Sequence, residues 1–301
     1  NNYNLAINGN YTNNGTVNFG TSTLTFNGAG TRTVSTGGTG AGKQFANVLL
    51  NSSITLLAGT GDMVIGGNLK IGDGKSPTIT TNNQNFTVTG NTDGTTGGSS
   101  EALILDAGTG AITFTGYIHG YGGGIDSSAL NDVTITHAGT TNFNGTINIF
   151  GALTQTNAAT GTTTFADAVG VNSATLRGTD FNINNNFIAG NSGGSGVISI
   201  TNSGTFTKSA QGAIGAKGGF SATGDVSLAN NITTTNTTIS IGGNLTLAEG
   251  KTVTLSTQAI AGAGDITITG ATDGTAGGSA EALILNAGTG TVSVGTIGSG
   301  A

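Results

Sequence analysis

The sequence predicts an all-β protein built as a parallel β-solenoid. Three observations support this prediction. Apolar residues alternate with Thr, Ser or Asn in short stretches, turn residues separate these stretches about every ten residues, and the 301 residues include 56 Gly but only one Pro and no Trp. At roughly 20–25 residues per coil, the chain would form about 12–15 coils.

Each alternating stretch predicts one strand. Examples in chain order are TLTF (23–26), ALILDAG (102–108), DVTITH (132–137), GVISITN (196–202) and DITITG (265–270). Alternation with period two indicates that one face of each strand is buried and the other is exposed to solvent. Glycine supplies the positive φ angles that tight corners require. Tandem β-sandwiches, the competing all-β architecture, usually carry a core Trp and a repeat of about 100 residues, so the composition favours the solenoid.

A long internal repeat organises the chain. Residues 89–110 (TGNTDGTTGGSSEALILDAGTG) and residues 269–290 (TGATDGTAGGSAEALILNAGTG) are identical at 18 of 22 positions. Upstream, IGGNLKIGDGK at 65–75 matches IGGNLTLAEGK at 241–251. The upstream match has a slightly smaller offset, because the second copy contains a short insertion between the two matching segments. Together these matches indicate a repeat of about 180 residues.

The repeat predicts the domain organisation. The chain would be one continuous solenoid segment, 1–301, holding about 1.7 copies of the repeat in approximate units 1–176 and 177–301. Because each coil of a solenoid contacts only its neighbours, such a protein can be extended without a new core design. We therefore expect the chain to be a segment of a longer repetitive protein.

Charge and composition narrow the function. Charged residues make up 7% of the chain, and eight Lys and Arg residues are scattered without a basic patch. Nucleic-acid binding depends mainly on neutralising phosphates, so we expect no nucleic-acid partner. No apolar run approaches the ~20 residues of a membrane-spanning helix. The absence of Cys fits either a cytosolic protein without a redox role or an exported bacterial protein, and the composition favours the second; 35% hydrophobic residues argue against disorder.

Two stretches carry a resemblance to known proteins. Residues 132–190 and ISIGGNLTLAEGKTVTLSTQAI at 239–260 resemble the β-strand repeats of very large secreted bacterial proteins, the filamentous-haemagglutinin-like and autotransporter-type adhesins. This resemblance covers nearly all of the chain and rests on composition. It implies a right-handed parallel β-helix at a bacterial cell surface or in an extracellular fibre.

Three functions compete on this basis. The first is a structural or adhesive rod without catalysis, whose partner is another copy or a ligand on a host or neighbouring cell. The second is a self-assembling sheath, surface layer or filament built by lateral or end-to-end contacts. The third is an enzyme that acts on polysaccharides, and we expect the chain not to be an enzyme.

The enzyme hypothesis depends on few residues. Asn91–Asp93 and His119–Gly120 resemble short motifs of pectin-degrading β-helix enzymes, which need acids flanking the scissile bond. The second copy has Ala271 and Ser299 in place of Asn91 and His119. The other histidine, His137, has no nucleophile motif around it. We expect both histidines to be exposed strand or loop residues.

Calcium is the most serious metal hypothesis. The repeated loop offers Asp93 and Glu101 in the first copy and Asp273 and Glu281 in the second. Hydroxyl groups of Ser99, Ser100 and Ser279 would supplement these carboxylates. Calcium takes six to eight oxygen ligands, usually including several carboxylates. The competing hypothesis is that Asp–Gly forms a turn and that Glu begins a strand at a solvated corner; no other cofactor is expected.

The aromatic residues suggest one local feature. Phenylalanines within alternating strands are expected to stack in the core. Tyr117 and Tyr121 flank His119, next to a flexible glycine run that begins at Gly120. This combination predicts a protruding loop with a contact role, or a simple insertion or turn.

Overall fold

The computed structural model describes residues 3–37, 40, 42–95, 100–119, 130–191, 193, 195–257, 264–277 and 280–298. Its parallel strands stack as a β-solenoid of about 11 turns, and the described residues contain no helix. The predicted fold class is confirmed. The turns are fewer than predicted because several of them are long. One turn runs from Thr92 to its strand partner Ile118, and the next runs from Ile118 to its partner Ile147. Both turns are longer than the expected roughly 20–25 residues.

The chain divides into two compact units, Asn1–Gly161 and Thr162–Ala301. In the first unit, the chain returns to the same sheet once per turn as a short parallel strand. One sheet of this unit contains β1, β3, β5, β8, β11, β14 and β17. The strands of this unit are β1 (Leu5–Ile7), β2 (Tyr11–Thr12), β3 (Thr23–Phe26), β4 (Gly30–Ser35), β5 (Asn47–Leu50), β6 (Ile54–Ala58), β7 (Met63–Ile65), β8 (Leu69–Ile71), β9 (Thr78–Thr80), β10 (Phe86–Val88), β11 (Thr92–Gly94), β12 (Glu101–Asp106), β13 (Ile112–Phe114), β14 (Ile118–His119), β15 (Leu130–His137), β16 (Thr141–Phe143), β17 (Ile147–Asn148) and β18 (Ala152–Phe165), the last of which continues past residue 161.

The second unit repeats the same construction. One of its sheets contains β19, β21, β24, β27, β30 and β33 in parallel order. The strands are β19 (Val169–Val171), β20 (Ser173–Ile183), β21 (Phe187–Ala189), β22 (Ile198–Asn202), β23 (Thr205–Lys208), β24 (Ile214–Ala216), β25 (Phe220–Ala222), β26 (Asp225–Leu228), β27 (Ile232–Thr234), β28 (Ile239–Ile241), β29 (Leu245–Leu247), β30 (Thr252–Ser256), β31 (Ile266–Ile268), β32 (Thr272–Gly274), β33 (Ala282–Asn286) and β34 (Val292–Val294).

The cores are filled by the alternating apolar residues. Ten of the twelve phenylalanines are buried, which agrees with their predicted core role. Rings on successive turns touch: the centroids of Phe86 and Phe114 lie 6.0 Å apart, and those of Phe114 and Phe143 lie 5.7 Å apart. Such contacts add to the stability gained from burying the rings. In-register stacking is possible because each turn places a residue of similar shape at the same position.

The corners are held by asparagine and aspartate side chains. The Asn68 backbone N–H donates to Asn47 Oδ1, and the Asn91 N–H donates to Asn68 Oδ1, each at 2.9 Å. Each side chain therefore bonds the backbone of the next turn, and one such bond contributes about 1 kcal/mol. The same role is taken by Asp62, Asn85, Asp180, Asn186, Asp225, Asn244 and Asp265.

The described residues include no helix that is both long enough and apolar enough to cross a membrane.

Candidate functional site

The repeated Asp–Gly pair lies within a strand. In β11 (Thr92–Gly94) the burial alternates, so Thr92 and Gly94 face the interior and Asp93 faces outward. Glu101 follows as the first residue of β12 and is fully buried. The expectation that Asp–Gly forms a turn is therefore wrong, and so is a solvated corner at Glu101. The strand that precedes the loop directs one acid outward, whereas the strand that follows it buries the other.

Asp93 lies between two charged or polar neighbours from adjacent turns. The parallel register places it beside Lys70 of β8 on one side and His119 of β14 on the other. Its Oδ1 is 3.9 Å from His119 Nδ1, which is too long for a direct hydrogen bond. Partial burial raises the pKa of Asp93, and the nearby His119 and Lys70 oppose that increase. An acid, an imidazole and an ammonium group thus lie in one row on the outer face of this sheet.

Tyr117 extends this row. Its ring is 45% exposed and meets the His119 ring edge-on, with the centroids 5.6 Å apart. The Tyr117 and His119 rings are therefore in contact. Tyr121 and the glycine run that begins at Gly120 lie outside the described residues.

The second histidine, like the first, lies beside an aspartate of the preceding turn. His137 of β15 pairs in register with Asp106 of β12, and His137 Nδ1 lies 3.3 Å from Asp106 Oδ1. The side chains of His137 and Asp106 are both partly exposed, and the exposure of His137 agrees with its prediction. Each histidine is therefore matched with an aspartate of the preceding turn. The sequence did not reveal these pairs because the partners are separated by one whole turn, and the length of a turn varies along the chain.

The second copy does not reproduce the row around Asp93. Asp273 of β32 is next to Thr246 of β29, where the first copy has Lys70. Ser299, which corresponds to His119, lies outside the described residues. The Asp–His–Lys row is therefore a feature of the first copy and not of the repeat.

Glu101 has a different environment from Asp93. None of its side-chain area is exposed, and neither carboxylate oxygen accepts a well-formed hydrogen bond. Burial raises the pKa of Glu101, and the adjacent Asp73 carboxyl raises it further, while the backbone amides of Glu101 and Gly74 favour the charged form. Asp73 lies in the corner after β8, one turn earlier. The sequence linked Glu101 with Asp93, whereas the structure places its carboxylate beside Asp73.

Glu281 repeats this arrangement in part. The N–H of Gly250 donates to Glu281 Oε1 at 3.2 Å, and Gly250 follows Glu249, the counterpart of Asp73. A Cβ atom at Gly274 would collide with the Glu281 carboxylate. The glycine of the repeated Asp–Gly pair thus leaves space for the glutamate. In this copy, the fixed spacing between Asp273 and Glu281 is therefore explained by the close approach of Gly274 to Glu281, and not by two acids that act together.

Other predicted ligands contribute less. Ser99 and Ser279 lie outside the described residues, and Ala280 follows Ser279 in the second copy. Ser100 adopts a positive φ of 42°, which places it at the tight approach to β12. The backbone of Asn91, from the enzyme-like triplet, donates to Asn68 at a corner of the solenoid.

Within the described parts of the chain, no group of three or more His, Asp or Glu side chains is arranged to hold a metal ion. Any cation would therefore depend on two carboxylates, backbone oxygens and water. Comparison with family models, curated proteins and solved structures found no match to this chain.

Proposed function

We propose that this chain is a structural and adhesive segment of a large extracellular bacterial surface protein. The observation that carries the proposal is the in-register parallel ladder within each unit, reinforced at the corners by side chains that bond the next turn. In the first unit the corner series passes through Asn47, Asn68 and Asn91 without interruption. Such a ladder distributes load over many backbone hydrogen bonds, as a scaffold under tension requires.

The outer surface supports the adhesive part of the proposal. A groove of about 490 Å³ in the first unit is lined by residues that include Thr25, Asn47, Asn68, Lys70 and Thr95. Hydroxyl, amide and ammonium groups in one groove suit a polar ligand such as a cell-surface glycan. Lys70 also begins the row that contains Asp93 and His119, so charge and aromatic surface continue from the groove along the sheet.

The mechanical part is tested by pulling single molecules of the whole chain from both ends. Parallel partners one turn apart include Ile214 and Ile232 in a short turn, and Ile118 and Ile147 in a long one. Each released turn would then add roughly 60–100 Å of extended chain. We expect successive force peaks separated by these lengths. A smooth extension at low force would contradict a load-bearing role.

The adhesive part is tested with beads that carry the dispersed chain. We expect them to bind bacterial or host cell surfaces, and a Lys70→Ala variant to bind less than an Asp106→Asn variant. Continuous fibres without cell binding, seen by electron microscopy, would instead support the self-assembling sheath. Release of reducing ends from acidic polysaccharides would contradict the non-catalytic assignment.

A further inference from the structure

Glu101 is unusual among the acids of this chain. Aspartates such as Asp62, Asp180 and Asp225 accept backbone N–H groups at the corners, which stabilises their charge. Glu101 is buried, and neither of its carboxylate oxygens accepts a well-formed hydrogen bond. The groups that face it are the backbone amides of Glu101 and Gly74 and the carboxyl of Asp73, and a buried carboxylate with so little compensation is unfavourable. The site therefore requires a positive charge or a proton that the described side chains do not supply.

A second acid increases this requirement. The carboxyl of Asp73, in the corner after β8, lies against Glu101 and disfavours its ionisation. Asp73 itself is exposed, so the pair connects the buried Glu101 to solvent. The groups that shift the pKa of Glu101 are Asp73 and the backbone amides of Glu101 and Gly74, and Lys75 is not one of them. Two carboxylates with a net charge of about −2 match one divalent cation.

The internal repeat preserves the two acids but not their burial. Glu249 replaces Asp73, and Glu281 replaces Glu101, while the residues just before Asp73 change from Ile71–Gly72 to Leu247–Ala248. The chain has only three glutamates, and all three belong to these two pairs. In the second copy the Glu249 carboxylate lies against Gly277, where a Cβ atom would collide with it. Space for both carboxylates is thus provided by glycine.

We propose that Asp73 and Glu101 bind a divalent cation of the calcium type. Glu101 presents two oxygens, Asp73 adds carboxylate oxygen from the solvent side, and water or backbone oxygens complete the coordination. With two carboxylates at the site, the dissociation constant should fall in the range of about 10⁻⁴–10⁻³ M that is typical of extracellular calcium modules. The second copy lacks a buried carboxylate of this kind, because Glu249 is exposed and Glu281 is partly exposed and accepts the Gly250 N–H.

The cation would join successive turns. Asp73 and Glu101 lie on different turns, so one ion links two coils through ionic bonds. This role is independent of the proposed scaffold function, since the site would bind calcium whether or not the chain bears load. Calcium would then stabilise the chain in extracellular fluid and less so in a calcium-poor cytoplasm.

The test is calcium binding by the whole chain after treatment with a chelator. Equilibrium dialysis with calcium chloride, up to about 10 mM, measures stoichiometry, and thermal unfolding measures stabilisation. The variants are Glu101→Gln and Asp73→Asn at the site and Glu281→Gln in the second copy. Asp106→Asn is the matched control, because the second copy naturally has Asn286 at that position.

We expect saturable binding of calcium and a rise in the melting temperature of the unsubstituted chain. Glu101→Gln and Asp73→Asn should each abolish binding, whereas Glu281→Gln and Asp106→Asn should retain it. Because Asp73 is exposed, its variant should fold even if a change at Glu101 does not. Lack of saturable binding, or equal binding by all variants, would overturn the proposal.

A shared proton is the alternative way to neutralise the pair. In that case calcium and chelator would leave the melting temperature unchanged, and stability would fall as the pH rises above the ordinary pKa of a glutamate, because the folded pKa is raised. Glu101→Gln would remove this fall. That combination of results would also overturn the cation proposal.

Discussion

Lys208 provides the sharpest test of the structure. It occupies an inward position at the end of β23, between Ile183 and Leu228 of the neighbouring turns, and only 1% of it is exposed. Its Nζ donates to the carbonyl of Ser209 at 3.0 Å, to that of Ile183 at 3.5 Å and to that of Gln211. An ammonium group therefore lies where other turns have an apolar side chain.

Burial lowers the pKa of Lys208 from its usual 10.5 to about 8. Below pH 8, Lys208 is protonated in both the folded and the unfolded chain. Between pH 8 and 10.5 the unfolded chain holds a proton that the folded chain has released, so the free energy of unfolding rises with pH. At 1.36 kcal/mol per pKa unit, the full effect is about 3 kcal/mol.

The assay compares the chain with a Lys208→Met variant by urea unfolding, followed by far-ultraviolet circular dichroism at several pH values. From pH 7 to pH 10 we expect the difference in unfolding free energy to shift by about 2–3 kcal/mol in favour of lysine. Methionine has a similar length but no charge, so other titrating groups cancel in the comparison. A difference that does not change with pH would refute the reasoning. It would mean that the three carbonyls compensate fully for burial.

Three further substitutions test packing and corners through the same measurement of unfolding free energy. Phe114→Ala should cost about 3–5 kcal/mol because it leaves a cavity in the ring stack, whereas Thr113→Ala on the outer face should cost little; similar losses would contradict the assigned faces. Asn68→Leu should cost about 1 kcal/mol through the lost corner bond, and Asn68→Asp should retain most of that stability because aspartate accepts the same bond at other corners. Gly270→Ala should cost roughly 1–3 kcal/mol because its Cβ would collide with the backbone carbonyl of Gly243, whereas Gly274→Ala should cost little because its Cβ would meet only the flexible end of the Glu281 side chain; equal losses would argue against these contacts.

The fold was predictable because its signal is local. Alternation in TLTF (23–26) or DITITG (265–270) identifies a strand and its buried face without reference to any other part of the chain. The number of turns was less predictable. It depends on how many residues each corner uses, and corner lengths vary without a clear sequence signal.

The neighbours of the candidate site residues could not be predicted from the sequence. Asp93 and Glu101 are close in the chain and recur together, so the sequence suggested that they act together. The structure gives Asp93 the neighbours Lys70 and His119, and it gives Glu101 the neighbour Asp73. In a solenoid the nearest neighbours are one turn away, and that separation cannot be read without knowing the register.

The sequence by itself determined that this protein is an all-β solenoid with a long internal repeat, because alternation, glycine content and self-similarity act within short segments. Only the tertiary structure decided which side chains meet. Parallel stacking brings together residues that are one whole turn apart at β8, β11, β12, β14 and β15. The most important consequence is the proximity of Asp73 to Glu101, since the local sequence encodes neither that proximity nor the burial of Glu101.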